Sequence, residues 1–157
     1  RFDEPGYNLR LTDIQSAMGL AQFPRLPHWI NQRRVLSADY RKALTPMVSA
    51  GLMTLPANHL GHSWQTFMIV LSGEIDRATL IDKLAKGGVE ANLGAQCLSM
   101  QPAFKDVRPV PLTTHASQLF KHGLALPFCE SYGPQQVAQV ANLLETLLLT
   151  PGTCRPT

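Results

Sequence analysis

Long apolar runs are missing from this 157-residue chain. The longest apolar stretch, Leu143 to Leu149, is interrupted by Glu145 and Thr146 and is much shorter than the roughly 20 residues that cross a bilayer. No membrane span is therefore predicted. The N-terminus has neither a basic lead nor an apolar signal core, although a segment further upstream would hide such a signal. We expect a cytoplasmic protein.

Residues that bind metals or form disulfides are also few. The three cysteines have neither the close spacing of a metal site nor the even pairing of a disulfide framework; they are Cys97, Cys129 and Cys154. We expect inert, buried or half-buried thiols, because no local histidine partner would activate Cys97 or Cys129. Four of the five histidines lack zinc-site spacing and are expected at solvated or helix-terminal positions; they are His59, His62, His115 and His122. No metal centre is predicted.

Charge is sparse as well. Charged residues make up 16% of the chain, the formal net charge is +3, and hydrophobic residues make up 45%. A globular chain with so few charges is expected to have part of its surface covered. The basic pairs Arg33-Arg34 and Arg41-Lys42 have Asp39 between them and lack the clustered basic face of a nucleic-acid-binding protein. We therefore predict no nucleic-acid partner.

The length suits one domain with a sizeable core. The first regular segment is predicted to be a helix from Leu11 to Gln22, because Thr12 and Gln15 fit the reciprocal capping box. One face of this helix is apolar and consists of Leu11, Ile14, Met18 and Ala21. Its start is the best-defined boundary in the sequence.

Prolines interrupt the segment after this helix. Pro24 and Pro27 each remove a backbone donor and crowd the preceding turn, so we expect a kink or a break there. Pro27 suits the first turn of a second helix. An apolar stripe of this helix is expected to pack in the core and consists of Trp29, Leu36, Tyr40 and Ala43. Residues 46–63 are predicted to be a connection with a short strand near 52–55.

Strands and helices alternate in the remainder. The run from Trp64 to Leu71 is typical of a central strand buried on both faces. Asp76 can cap a helix that continues through Lys86 and stops at Gly87-Gly88. The later segments are a strand at 89–93, an irregular stretch at 94–111, a helix at 115–122, a strand at 124–127 and a helix at 134–148. This order predicts an α/β (α+β) fold with helices packed on a small sheet.

Five stretches, in order, carry a family resemblance. The stretch GYNLRLTDIQSAMGLAQ resembles the segment that begins the C-terminal part of the DegT/DnrJ/EryC1/StrS aminotransferases. These enzymes make amino sugars with pyridoxal phosphate. The family's R-x-x-x-A-x-x-Y-x-x-x-L helix is similar to RRVLSADYRKAL, and its buried strand is similar to HSWQTFMIVL. The stretch LIDKLAKGGVEANLGAQCLSMQPAFK is similar to the family's L-x-x-x-G-I segment and the loop that adjoins it. The stretch LALPFCESYGPQQVAQVANLL is similar to the family's closing strand and helix. The resemblance covers nearly the whole chain.

The resemblance implies the small C-terminal domain of a type I pyridoxal phosphate-dependent transferase. Residues 1–150 would form this domain, with the first helices at 12–45 linking it to a large domain upstream, and residues 151–157 would be a loose tail. The full enzyme would be a homodimer. It would move an amino group, usually from glutamate, onto a keto sugar attached to a nucleotide.

The resemblance singles out Asn8 for the cofactor. In the family, the asparagine of the G-x-N-x-R turn reaches across the dimer to the cofactor phosphate of the other subunit. By its residue type alone, Asn8 equally fits a turn in which its side chain hydrogen-bonds its own backbone. Arg10 can contact a phosphate or a substrate carboxylate through its planar guanidinium, or it can form an ion pair with Asp13.

The loop from Gly94 to Phe104 matches a family segment that often reads H-Y-x-P-x-H near the active site. Gly94 and Ser99 occupy the two histidine positions, and neither residue can act as a base. Gln96 and Ser99 remain able to hydrogen-bond a sugar hydroxyl. This departure leaves the identity of the sugar open.

No catalytic residue is predicted in this chain. None of the lysines lies in a motif like that of the family's Schiff-base lysine; they are Lys42, Lys83, Lys86, Lys105 and Lys121. The chain alone is therefore expected neither to hold pyridoxal phosphate stably nor to transaminate.

Two other functions stay open from the sequence. A freestanding noncatalytic module could keep the small-domain fold for self-association or for binding a partner. A small-ligand regulatory α/β domain without aminotransferase ancestry is a third hypothesis, which leaves the ordered matches unexplained. Pro24 and Pro27 fit a divergent copy of the family domain. Alternatively, Pro24 fits a kink in a helix that an upstream domain supports.

Overall fold

The computed structural model describes residues 3, 4, 6–104, 106 and 114–150. The predicted tail at 151–157, Lys105 and Cys154 lie outside these residues. The described chain contains five α-helices and four strands, in the order α1 (Asp13–Gln22), α2 (Leu26–Ser49), β1 (Met53–Thr54), β2 (Phe67–Leu71), α3 (Arg77–Lys86), β3 (Asn92–Leu93), α4 (Thr114–His122), β4 (Gly123–Leu126) and α5 (Pro134–Leu149).

The first helix begins where its capping box predicts. The Thr12 hydroxyl oxygen accepts from the Gln15 backbone N–H at 3.3 Å, and Gln15 Oε1 accepts from the Thr12 N–H at 2.9 Å. Helix α1 is followed by one turn of 3-10 helix, Phe23–Arg25, that contains Pro24. The predicted break between the two helices is thus confirmed.

Helix α2 is longer than predicted. It runs through Pro46 to Ser49, whereas the sequence interpretation started a connection at residue 46. Proline removes one backbone donor here, but Leu44 and Met47 beside it are fully buried, so burial keeps this last turn in place. The loss therefore does not end the helix.

The four strands form one antiparallel sheet in the order β1-β2-β4-β3. Strand β2 is central, as predicted, and pairs Phe67 with Leu126 and Ile69 with Leu124. It begins at Phe67, three residues later than predicted, because Trp64 has a positive φ of 53°. Its alternate residues are buried and half-buried, so only one face of the strand is fully covered.

Helices α2, α3 and α5 provide the other layer of the core. Helix α2 packs against α5 and β1, and α3 packs against α5. The Asp76 carboxylate caps α3, and Gly88 after it has a φ of +78°, as its predicted stop requires. Aromatic rings of Tyr40, Phe67 and Phe128 stack at the centre of the core. The α/β fold with helices on a small sheet is confirmed.

Candidate functional site

The N-terminal arm, residues 6–23, presents its apolar side chains to solvent. No residue of α1 is buried. The exposed fractions of its large apolar side chains range from 65% to 94%, and these side chains are Tyr7, Leu9, Leu11, Ile14, Met18, Leu20 and Phe23. Soluble monomers rarely expose a contiguous apolar patch larger than a few hundred Å². The arm therefore has the composition of a covered surface.

Asn8 and Arg10 lie in the turn that precedes α1. Asn8 Oδ1 accepts a long hydrogen bond of 3.4 Å from the Arg10 backbone N–H. Arg10 has a φ of +54°, which is uncommon for a residue other than glycine. The local turn expected of an asparagine is therefore present, and it uses only the side-chain oxygen. Among the described residues, the carboxamide nitrogen of Asn8 donates to no partner.

Arg10 shows no ion pair to Asp13 in the described part of the chain. Both side chains are exposed, and the guanidinium of Arg10 forms no ion pair with a carboxylate of the described residues. Its rigid set of donors is therefore accessible to an anionic ligand. The turn thus combines two exposed donor groups, an amide and a guanidinium.

The loop after β3 has an anchored interior and a polar exterior. Cys97 and Gln101 are 3% and 4% exposed and hold two short 3-10 turns, Leu98–Met100 and Pro102–Phe104, against the domain. Gln96 and Ser99 are exposed, as a ligand contact requires. Gln101 Nε2 donates to Gln96 Oε1 at 3.3 Å, and Ser99 Oγ lies 3.2 Å from Cys97 Sγ.

Gly94 has no room for a side chain. A Cβ atom at this position would lie 2.5 Å from Met68 Cγ and 2.8 Å from the carbonyl carbon of Gly123. Met68 could rotate away, but the Gly123 backbone could not without disturbing β4. The position that corresponds to the first histidine of the family loop is thus closed to any larger residue here.

The two pairs of predicted site residues are not joined in this chain. No hydrogen bond or ion pair in the described ranges connects Asn8 or Arg10 with Gln96 or Ser99. Of the lysines in these ranges, Lys42, Lys86 and Lys121 are exposed on helices and Lys83 is half-buried on α3. Within the same ranges, no three His, Cys, Asp or Glu side chains group closely enough to hold a metal ion.

Sequence reasoning missed a network around the loop 56–64. Arg33 forms an ion pair with Glu130 at 2.5 Å. A hydrogen bond from the backbone of Glu130 lowers the pKa of the Glu130 carboxyl, and Arg33 also lowers it. His62, expected in solvent, is half-buried and stacks on Trp64 with ring centroids 4.0 Å apart. Arg33 and Arg41 are about two helical turns apart and therefore lie on one face of α2. This spacing is the feature of the sequence that could have indicated the network.

The cysteines of the described ranges differ in exposure. Cys97 is buried, as expected, but Cys129 is exposed, because it lies in the loop after β4 rather than under a helix. No helix in the described portion of the chain combines the length and the hydropathy that a membrane span requires.

The same arrangement of helices and sheet occurs in solved aminotransferases. Helicobacter pylori PseC, an aminotransferase of pseudoaminic acid biosynthesis, is 20% identical with a TM-score of 0.77, over 92% of this chain and 39% of PseC. An aminotransferase from Psychrobacter cryohalolentis is 19% identical with a TM-score of 0.76, over 92% of this chain and 40% of that one. The chain therefore has the fold of the corresponding parts of these two solved proteins.

The sequence model of the DegT/DnrJ/EryC1/StrS aminotransferase family matches residues 1–145. The chain belongs to this family. It spans about two-fifths of the length of the solved structures it resembles, since it covers 39% and 40% of the two chains above. The resemblance that the sequence motifs indicated is confirmed.

Proposed function

We propose that this chain is the C-terminal part of a pyridoxal phosphate-dependent aminotransferase that acts on keto sugars attached to nucleotides. The observation that carries the proposal is that the family match over residues 1–145 includes an arm whose apolar face is uncovered. In the complete protein a large domain and a second subunit would cover this arm. The protein would be a cytoplasmic homodimer.

Pyridoxal phosphate, when bound, supplies the electron sink that amino transfer requires. Asn8 fits its phosphate, because the exposed carboxamide has two N–H donors that no described residue accepts from. In the proposed dimer Asn8 donates to the phosphate held by the other subunit. The cofactor-binding lysine and the carboxylate that keeps the ring nitrogen protonated come from protein outside this chain.

The substrate contacts proposed for this chain bind and orient rather than move protons. Arg10 would bind a phosphate or carboxylate oxygen, and Gln96 and Ser99 would hydrogen-bond sugar hydroxyls. Gly94 cannot contribute a base, since no side chain fits between Met68 and Gly123. The loop therefore selects the sugar by shape and hydrogen bonding.

The test uses the reading frame extended upstream of Arg1, expressed with pyridoxal phosphate and assayed for amino transfer from glutamate to a nucleotide-linked keto sugar. Asn8→Ala should weaken binding of pyridoxal phosphate roughly tenfold to a hundredfold, because a hydrogen bond to a charged group is lost. Asn31→Ala, at an exposed position of α2, is the matched control and should bind normally. Equal affinities for both variants would remove Asn8 from the site.

A noncatalytic module that self-associates through the arm is the second candidate, because the uncovered face of α1 serves it equally well. The two candidates differ in what precedes Arg1. An extended frame that encodes no cofactor-binding lysine, together with self-association of the chain, would favour the noncatalytic module.

A further inference from the structure

A second group of ligand-type side chains surrounds the loop 56–64, which we call the clamp loop. A cavity of about 280 Å³ opens between this loop and helix α2. Its lining residues are Arg34, Asn58, His59, Leu60 and Trp64. The sequence interpretation gave none of them a function.

Three of the lining side chains are hydrogen-bond donors of different shape. Arg34 uses one guanidinium nitrogen to donate to the Leu60 carbonyl oxygen at 3.0 Å. A guanidinium has five N–H donors, so most of those of Arg34 are left for a ligand. Asn58 and His59 are exposed and add an amide and an imidazole. The cavity therefore offers donors from both of its walls.

None of the described residues that line the cavity is acidic. Residues 40–73 include neither Asp nor Glu. Glu130 is linked to the clamp loop through Arg33, with which it already forms an ion pair. Arg34 also has no acidic residue three or four positions away on α2, where a helix would place an ion-pair partner. Among the described residues, no carboxylate forms an ion pair with Arg34.

The clamp loop is held in one shape from several sides. Arg41 donates to the Pro56 carbonyl oxygen and lies over the Trp64 ring, with its guanidinium carbon 5.6 Å from the ring centroid. Arg33 donates to the Trp64 carbonyl oxygen at 3.5 Å, and His62 Nδ1 accepts from the Trp64 N–H at 2.9 Å. Trp64 is 2% exposed and has a φ of +53°.

A bulky residue with positive φ persists only where its surroundings hold it there, and such residues cluster at binding and active sites. Here three arginines of one helix bind three carbonyl oxygens of one loop, namely those of Pro56, Leu60 and Trp64. The donors at the cavity therefore need little rearrangement to receive a ligand, which lowers the cost of binding.

We propose that this cavity binds a phosphate-type oxyanion, as the phosphoryl group of a small molecule. The planar fork of Arg34 suits two oxygens of one phosphate, and Asn58 and His59 can donate to the others. The proposal stands independently of the aminotransferase function, because it rests on residues of this chain alone. It can therefore be tested on the chain itself.

The test is an NMR titration of the ¹⁵N-labelled chain with inorganic phosphate and pyrophosphate at constant ionic strength. Saturable shifts are expected for the amides of residues 58–64. His59→Ala and Asn58→Ala should each raise the dissociation constant at least threefold, and Arg34→Gln should raise it at least tenfold. Arg25→Gln removes the same charge from an exposed position outside the cavity and should leave binding unchanged.

Three outcomes would overturn the proposal. The first is a set of shifts that follows ionic strength without saturating, and the second is an equal loss of binding in Arg25→Gln and Arg34→Gln. The third is that acetate or citrate binds as tightly as phosphate, which would identify a carboxylate site. Arg34 also anchors Leu60, so if the spectrum of Arg34→Gln shows a rearranged loop, Asn58→Ala and His59→Ala decide the result.

Discussion

Single side chains fix the ends of several elements, and Asp76 shows how. Its carboxylate accepts from the Ala78 and Thr79 backbone N–H groups and from the Thr79 hydroxyl, at 3.0, 3.4 and 2.6 Å. The hydrogen bond from the Thr79 side chain is the largest of the effects that lower the pKa of Asp76 below its ordinary value of 3.8. Because the pKa of this carboxyl is lower in the folded protein, the carboxylate stabilises the fold at pH values above its ordinary pKa. This stabilisation is lost as the pH falls and the carboxyl is protonated.

We therefore predict that Asp76→Ala lowers the urea midpoint at neutral pH. The difference from the wild type should shrink as the pH falls below 3.8, where the wild-type carboxylate is itself lost. Asp76→Asn keeps a capping side chain and should therefore lower the urea midpoint less than Asp76→Ala does. Asp82→Ala on the same helix is the control. A deficit for Asp76→Ala that stays constant down to acidic pH would show that the charge of the cap contributes nothing.

Tyr40 lies at the centre of the core and tests a buried hydrogen bond. Its hydroxyl donates to the Pro127 carbonyl oxygen at 2.7 Å, and its side chain is 0% exposed. Burial, and to a lesser extent Tyr132, raises the pKa of Tyr40, so this donor stays protonated where exposed tyrosines ionise. Tyr40→Phe should lower the free energy of unfolding by about 1–2 kcal/mol, because the carbonyl loses its partner.

Chemical unfolding at neutral pH measures this loss. Tyr7→Phe removes the same atom from a side chain that is 94% exposed, and it should leave stability unchanged. Equal stabilities for the two variants would mean that water reaches the Pro127 carbonyl when the Tyr40 hydroxyl is absent.

At the level of elements, the sequence predicted the helix ends that are determined by interactions between neighbouring residues. The capping box of α1, the cap of α3 and the glycine stop after it are set by residues within one turn of each other, so the sequence alone locates them. The end of α2 depends on Leu44 and Met47 being buried by other elements, and the late start of β2 depends on the conformation of Trp64. No local pattern contains that information.

The uncovered face of α1 gives a prediction at the same scale. We expect the chain to self-associate through Ile14 and Met18, which are 76% and 65% exposed. The double substitution Ile14→Ser and Met18→Ser should weaken self-association at least fivefold in sedimentation velocity. It should change the free energy of unfolding by less than about 0.5 kcal/mol, because neither side chain is buried in the monomer.

Val35→Ser provides the comparison for this experiment, since Val35 is a 58% exposed apolar residue on α2. It should associate like the wild type. A wild-type chain that sediments as a clean monomer at high concentration would mean that the face of α1 is not an interface for a second copy.

At the scale of the whole molecule, the chain divides into a packed domain and a bare arm. The order of the sheet, β1-β2-β4-β3, follows from pairings between residues far apart in sequence, and the sequence patterns predicted the central place of β2 but not its partners. The candidate site was predictable only in its residue types. Asn8, Arg10, Gln96 and Ser99 are exposed as ligand contacts must be, but no hydrogen bond or ion pair among the described residues joins the first two with the last two.

This division predicts two levels of amide hydrogen exchange. Amides of β2, β4, α5 and the buried part of α2 should exchange slowly, because opening them disrupts the core. Amides of α1 should exchange at nearly the rate of an unfolded peptide in dilute solution, because an isolated helix of 10 residues is marginal in water even with a good cap. Raising the protein concentration should slow exchange in α1 alone, since association buries only the arm. Protection of α1 equal to that of α5 at every concentration would mean that the arm is stable without a partner, and the need for a covering domain or subunit would then lose its physical basis.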